Sequence, residues 1–174
     1  MSYELVESNH KLLKTNLDPF DFTNPPSDPK EIQQILFDKM MEKNGLGLSA
    51  NQLGLPYRVF IMRGDPCKVC FNPRVVDMSE ELVVLEEGCL TYPDLYVKIK
   101  RPVGVRVRYQ DVNGEIQTEK FVGITARCFL HELDHLNGID YLMRASKFHL
   151  DNAKKKLKYH RRRRNRIEKQ NRIT

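Results

Sequence analysis

The chain has 174 residues, 40% of them hydrophobic and 30% charged, which fits one domain able to bury its own core. Its net charge of +6 is uneven: residues 154–174 hold eleven Lys or Arg against the single acid Glu168, leaving the rest of the chain at about −4. No apolar run approaches the roughly 20 residues of a membrane span, and MSYELVESNHKLLKT lacks the basic start and apolar stretch of a secretory signal. These features predict a soluble, cytoplasmic protein with no membrane partner.

In chain order, NPPSDPKEIQQILFDKMMEKNG predicts the first helix. Ser27 or Asp28 caps it, Pro29 lies in its first turn, and Glu31 sits near the positive end of the dipole. Ile32, Ile35, Leu36 and Met40 recur at helical spacing, and Asn44-Gly45 ends the element, with Gly45 expected in the left-handed conformation of a C-terminal cap. From there the periodicity changes to that of strands, predicted at 57–63, 71–77, 81–87, 96–100, 103–111 and 115–121. Val103, Val105, Val107 and Tyr109 alternate with polar or small residues, and Asn113-Gly114 is a strong hairpin signal. A second helix is predicted from about Ile124 to Asn137, with Ala126, Phe129, Leu130, Leu133 and Leu136 on its apolar side and Gly138 as cap. The expected fold is α+β: mainly antiparallel sheets around a motif-bearing helix, with an N-terminal helix and a basic C-terminal helix or tail. Residues 1–150 are expected to form the main domain and 151–174 a basic extension.

Chemistry concentrates in three segments. HELDH, at 131–135, places His131 and His135 one helical turn apart, so both rings reach one ion, with Glu132 free to address a water. The alternative is a charged helix that happens to carry two histidines. A catalytic site usually takes three protein ligands, and EEGCLTYP offers Cys89 after Gly88 at a strand end; its plainer reading is a small buried hydrophobe. GLGLSANQ, at 45–52, has glycines that permit close backbone approach and then the amide of Gln52. It lacks Gly-x-Gly-x-x-Gly and opens no helix, which argues against a dinucleotide site.

Taken together, GLGLSANQ, EGCLT and HELDH resemble the peptide deformylase family, whose pattern has these segments in this order. KRP at 100–102 and HLNGIDYL after the histidines extend the resemblance to roughly residues 17–144. It implies Cys89, His131 and His135 as ligands of one divalent metal ion, Glu132 as general base and acid, and Gln52 with the backbone N–H of Leu90 as oxyanion donors. It also implies that Gly45, Leu46 and Gly47 line a trough for the substrate backbone by strand addition. Glu87 and Arg101 match a charged pair supporting the cysteine-bearing strand. The implied reaction removes the formyl group from the N-terminal formyl-methionine of nascent peptides. Ferrous iron is the first expectation for the metal and zinc the second, with nickel or cobalt able to substitute. Such an ion lowers the pKa of water from 15.7 to about 7, so that hydroxide is available at neutral pH. Three departures from the family pattern stand near the site: Ser49 for Ala, Thr91 for Ser, and Leu130 for the Gln before the first histidine.

Other features have plainer readings. Cys67 and Cys70 form CKVC, but no second close cysteine pair completes a zinc ribbon, so reduced non-ligating thiols are expected. Cys128 lies three residues before His131 and is left out of the ligand set. The tail is either a solvated basic helix or a disordered end by composition. The resemblance adds a third reading, in which residues 154–172 contact ribosomal RNA through its phosphates. Two rival functions remain: a His-Glu-x-x-His protease, whose third ligand would come from His149, His160 or Glu168, and an RNA-binding module with a structural metal.

Overall fold

The computed structural model describes residues 3–171. Three α-helices and seven strands follow in the order α1 (Pro29–Glu42), β1 (Gly47–Ser49), β2 (Val59–Met62), β3 (Lys68–Met78), β4 (Leu82–Cys89), β5 (Tyr92–Pro102), β6 (Gly104–Gln110), β7 (Ile116–Val122), α2 (Gly123–Leu136) and α3 (Lys147–Asn171). Five strands form one sheet in the order β1-β2-β3-β6-β7, and β4 pairs with β5 in a second. Every pairing is antiparallel, as the α+β expectation required.

Asp28 caps α1, its Oδ1 accepting from the Lys30 N–H at 2.9 Å, and Pro29 occupies the first turn, where a missing N–H costs nothing. Ile32, Leu36 and Met40 form the buried stripe. The cap at the other end differs from expectation. Asn44, at φ 52°, takes the left-handed conformation rather than Gly45. Asparagine tolerates that region, and Gly45 is small for another reason: a Cβ there would come within 3.0 Å of the Gly47 carbonyl oxygen and the Leu90 side chain.

Strand β2 is buried on both faces. Val59 and Ile61 face a cluster with Leu36 and Met40 of α1, while Phe60 and Met62 face a cluster with Phe129, Leu133 and Leu136 of α2. The sheet therefore separates two cores at this end, and the period-2 alternation of side chains assigns each residue to one of them. Phe129 fixes α2 against the sheet through edge-on contact with Phe60 and a tilted contact with Phe121, at 5.2 and 5.7 Å between ring centroids. Strands β3 and β5 run longer than their apolar segments suggested, since ladder hydrogen bonds continue into polar flanks. Segment 47–49, expected only as a glycine-rich approach, is the edge strand β1, held by pairs such as Leu48 with Ile61. Asn113-Gly114 sits in the β6–β7 hairpin with Gly114 at φ 83°, and Gly138, at φ 71°, follows α2 as expected.

The basic segment is helical, and its helix starts at Lys147, ahead of the charge run. Leu150, Ala153 and Leu157, at helical spacing, pack on Leu95, Val97 and Ile99 of β5. Residues 158–170 are exposed. No helix among the described residues is long and apolar enough to cross a membrane.

Candidate active site

Three elements meet at a cleft of about 520 Å³. Cys89 ends β4 where the ladder to β5 slips register between Glu87 and Cys89, an irregularity that re-aims a side chain out of the pleat. His131 and His135 project from one face of α2, with ring centroids 5.0 Å apart. The Cys89 sulfur lies 3.2 Å from His135 Nε2, and one donor atom from each of the three residues falls within 4.8 Å of the others. Sulfur and nitrogen donors of one tetrahedral ion stand about 3.5 Å apart, so a thiolate and two imidazoles at these separations fit one divalent cation. This is the one such cluster of three potential ligands found among the described residues; His149, His160 and Glu168 lie on α3, away from it.

Electrostatics favour the same use. Burial opposes ionisation of Cys89, yet the two imidazoles beside it hold its thiol well below the usual cysteine range. Burial also opposes a charged His131, but Cys89 and Glu87 raise it to about 10; at His135 too burial is outweighed by Cys89, and the shift is upward. A cluster that gathers protons so strongly offers the same negative field to a cation.

Glu132 lies beneath the cleft, between α2 and β1, with 4% of its surface exposed. Its Oε2 accepts from Ser49 Oγ at 2.6 Å. Burial pushes its carboxyl up, while the neighbouring imidazoles and the Ser49 hydroxyl pull it back. Gln52 is buried beside it. Its Oε1 accepts from the Ser49 N–H at 3.0 Å, which turns Nε2 toward Thr91 Oγ1 at 3.1 Å and the Cys89 sulfur at 3.6 Å. Leu90, Gly45, Leu46 and Gly47 all line the cleft. All eleven residues singled out in the sequence therefore gather in or directly behind one site.

Behind the Cys89–His131–His135 cluster is an ionic group, largely buried, that the sequence reading saw only in part. Arg101 meets Glu87 with two N–H groups, at 2.6 and 2.9 Å, and Glu87 Oε2 lies 3.1 Å from His131 Nδ1. Because Glu87 is held as a carboxylate, with a pKa lowered to about 2 as His131 and Arg101 outweigh its burial, Nδ1 is the donor and Nε2 is left for the cleft. Arg127, Asp134 and Arg144 were missed. Arg127 donates to Glu87 Oε1 at 2.6 Å and to the carbonyls of Ile99 and Val83. Asp134 accepts from Arg101 at 2.8 Å and from Arg144 at 2.6 Å. Only Asp134, inside HELDH, carried any signal. Tyr141 was also missed: its ring stands 5.5 Å from that of His131, and its hydroxyl donates to the Leu95 carbonyl.

Cys128 is no part of the donor cluster: its thiol donates to the Leu46 carbonyl at 3.4 Å, and burial raises its pKa. Cys67 and Cys70 are free thiols, Cys70 inside the core beneath α2.

A family profile for polypeptide deformylase matches residues 2–151. A peptide deformylase of Wolbachia from Brugia malayi is 42% identical over 141 residues, covering 73% of this chain and 79% of the relative. The peptide deformylase of Afipia carboxidovorans is 34% identical over 88% of this chain and 92% of its own. Among solved structures, a Met-Ala-Ser-bound class I type b peptide deformylase from Acinetobacter baumannii superposes with a TM-score of 0.76 at 31% identity, over 83% of this chain and 99% of that one. Agreement of this depth over most of the length places the chain in the peptide deformylase family.

Proposed function

We propose that the cleft hydrolyses the formyl amide at the N-terminal formyl-methionine of nascent peptides, giving formate and a free amino terminus. The observation that carries this reading is the convergence of the Cys89, His131 and His135 donor atoms within 4.8 Å, with the buried Glu132 and Gln52 lining the same cleft. Cys89, His131 and His135 would hold one divalent cation, ferrous iron first and zinc second, with nickel or cobalt as replacements. When bound, that ion supplies Lewis acidity and makes hydroxide available near neutral pH.

The chain's own groups perform the remaining work. Glu132 takes the proton of the attacking water and returns it to the departing amine nitrogen. Gln52 Nε2 and the Leu90 N–H donate to the formyl oxygen as it gains negative charge, where fixed dipoles are worth most. Residues 45–47 offer a sheet edge, ending in β1, along which an extended peptide backbone lies. Glu87 and Arg101 keep His131 oriented. A protease reading needs a third ligand from α3, whereas Cys89 already stands beside the histidines.

Incubation with formyl-Met-Ala-Ser and, separately, with a folded protein substrate tests the assignment. Formate release with no internal cleavage is expected; internal cleavage without formate would hand the site to the protease reading. Glu132→Ala, with metal content checked, is expected to keep the ion and lose formate release. Retention of both would leave the metal a structural role.

Residues 1–150 serve as the catalytic unit and 151–174 as a basic extension working in the cytoplasm, where chains emerge from ribosomes. Residues 154–172 meet ribosomal RNA phosphates without base specificity; Arg172 lies outside the described residues. Support comes from the exposed basic side chains of α3 beyond its packed first turns. Truncation before Lys158 spares Leu157 and is expected to weaken ribosome binding and flatten its salt dependence, while formyl-Met-Ala-Ser hydrolysis persists. Unchanged ribosome affinity would remove this role.

A further inference from the structure

We propose that Ser49 is a positioning residue that clamps the Glu132 carboxylate for proton transfer, an inference that rests on the reading of Glu132 as the general base. In β1, Leu48 belongs to the α1 core, while Gly47 and Ser49, two residues apart, face the other way, toward α2. Ser49 is fully buried. Its hydroxyl carries one proton and has two acceptors in reach, Glu132 Oε2 at 2.6 Å and the Glu132 carbonyl at 3.2 Å. The shorter contact, to the charged partner, takes the proton.

The opposite flank of the carboxylate is closed by Gly47. A Cβ at that position would fall 2.6 Å from Glu132 Oε1 and 2.8 Å from its Cγ, so the bare backbone itself forms the wall. Glu132 thus sits in a slot with one oxygen tied to a hydroxyl and the other pressed along a glycine. A long side chain with three torsions keeps little freedom there, and misplacing a reacting group by about 1 Å costs on the order of 100-fold in rate. Ser49 also sets the second group of the site, because its N–H holds Gln52 Oε1 at 3.0 Å. One residue therefore aims both the base, through its side chain, and the oxyanion donor, through its backbone. Alanine at this position removes the first tie and keeps the second.

The test uses the full-length, metal-loaded enzyme with formyl-Met-Ala-Ser. Ser49→Ala is expected to lower kcat about ten-fold, the scale of one hydrogen bond to a charged group, with KM within about two-fold of wild type. A crystal structure of the zinc-loaded variant is expected to show the Glu132 carboxylate rotated away from Gly47. The clamp is overturned by a kcat within about two-fold of wild type, by a change carried in KM, or by a lower kcat with Glu132 unmoved. Glu132→Ala, assayed alongside, separates the two levels. If it abolishes formate release while Ser49→Ala behaves as wild type, only the clamp fails. If it leaves formate release intact, the role of Glu132 falls and the clamp with it.

Discussion

Two arginine–carboxylate pairs in this molecule have nearly the same separation and opposite settings. Arg101 Nε lies 2.6 Å from Glu87 Oε1 behind the Cys89–His131–His135 cluster, and Arg164 Nη2 lies 2.9 Å from Asp94 Oδ2 between α3 and the start of β5. The side chains of the first pair are 5% and 4% exposed, those of the second 55% and 54%. Water stabilises either partner of the outer pair once it is broken. Nothing but protein stabilises the inner one, and there Arg127, His131 and, through Arg101, Asp134 share the task. The inner group is thus a scaffold whose members depend on one another, whereas the outer pair is a local tether.

The sharpest way to break that contrast is Glu87→Ala. It leaves Arg101 and Arg127 buried without their shared acceptor and is expected to cost about 3–5 kcal/mol in denaturant unfolding. His131 also loses the partner that holds its Nδ1–H, so metal affinity, followed by chelator competition, is expected to fall about 10–100-fold. A stability loss below about 1 kcal/mol would mean that the scaffold is not the closed group described. The pH dependence has a definite sign. The Glu87 carboxyl is lowered from 4.5 to about 2, so its contribution is complete above 4.5 and is lost as pH falls toward 2. Acid unfolding curves of wild type and Glu87→Ala should therefore converge over that interval.

Smaller in expected effect is Gln52→Ala, which probes the cleft side of the same scaffold. Removing one oxyanion donor costs about 10²–10³ in kcat. Metal content is expected to stay unchanged, because Gln52 touches the Cys89 sulfur only by a 3.6 Å hydrogen bond. Loss of metal in this variant would recast Gln52 as a support for Cys89 instead of a donor to substrate.

The inner scaffold also marks where reading the sequence stops. His131, Glu132 and His135 were legible because a helix converts a spacing of four into one face. Cys89 was not legible from spacing, since it reaches them only after β4 docks on α2; its place after Gly88 at a strand end made it a candidate, and resemblance chose between that and a small buried hydrophobe. Arg127 gave no sign, because a lone arginine on a helix reads as surface until tertiary packing covers it, and Arg144 stays exposed, its role visible only in its ion pair with Asp134. The cap went to Asn44 instead of Gly45 because both residue types tolerate the left-handed region, and the need for glycine at 45, crowding by Gly47 and Leu90, arises only in the folded chain. The docked start of α3 was legible yet overlooked: Leu150, Ala153 and Leu157 have helical spacing, hidden beneath the charge count of the segment.

The outer pair sharpens the comparison from its weak end. Arg164→Ala is expected to leave the denaturant midpoint almost unmoved, since each partner regains hydration and the long side chain regains its freedom. Any shift should shrink further in about 0.5 M salt, where screening falls to a few ångströms, while the effect of Glu87→Ala persists. Asp94 sits in the cleft wall, so the same variant asks whether α3 governs the site through this contact. Unaltered kcat and KM for formyl-Met-Ala-Ser would place the hold of α3 on the body in the apolar contacts of Leu150, Ala153 and Leu157. That in turn fixes how a helix can present its basic face elsewhere without disturbing the chemistry: its anchor is hydrophobic and insensitive to salt, and the basic side chains along residues 158–170 are exposed to be matched by another surface.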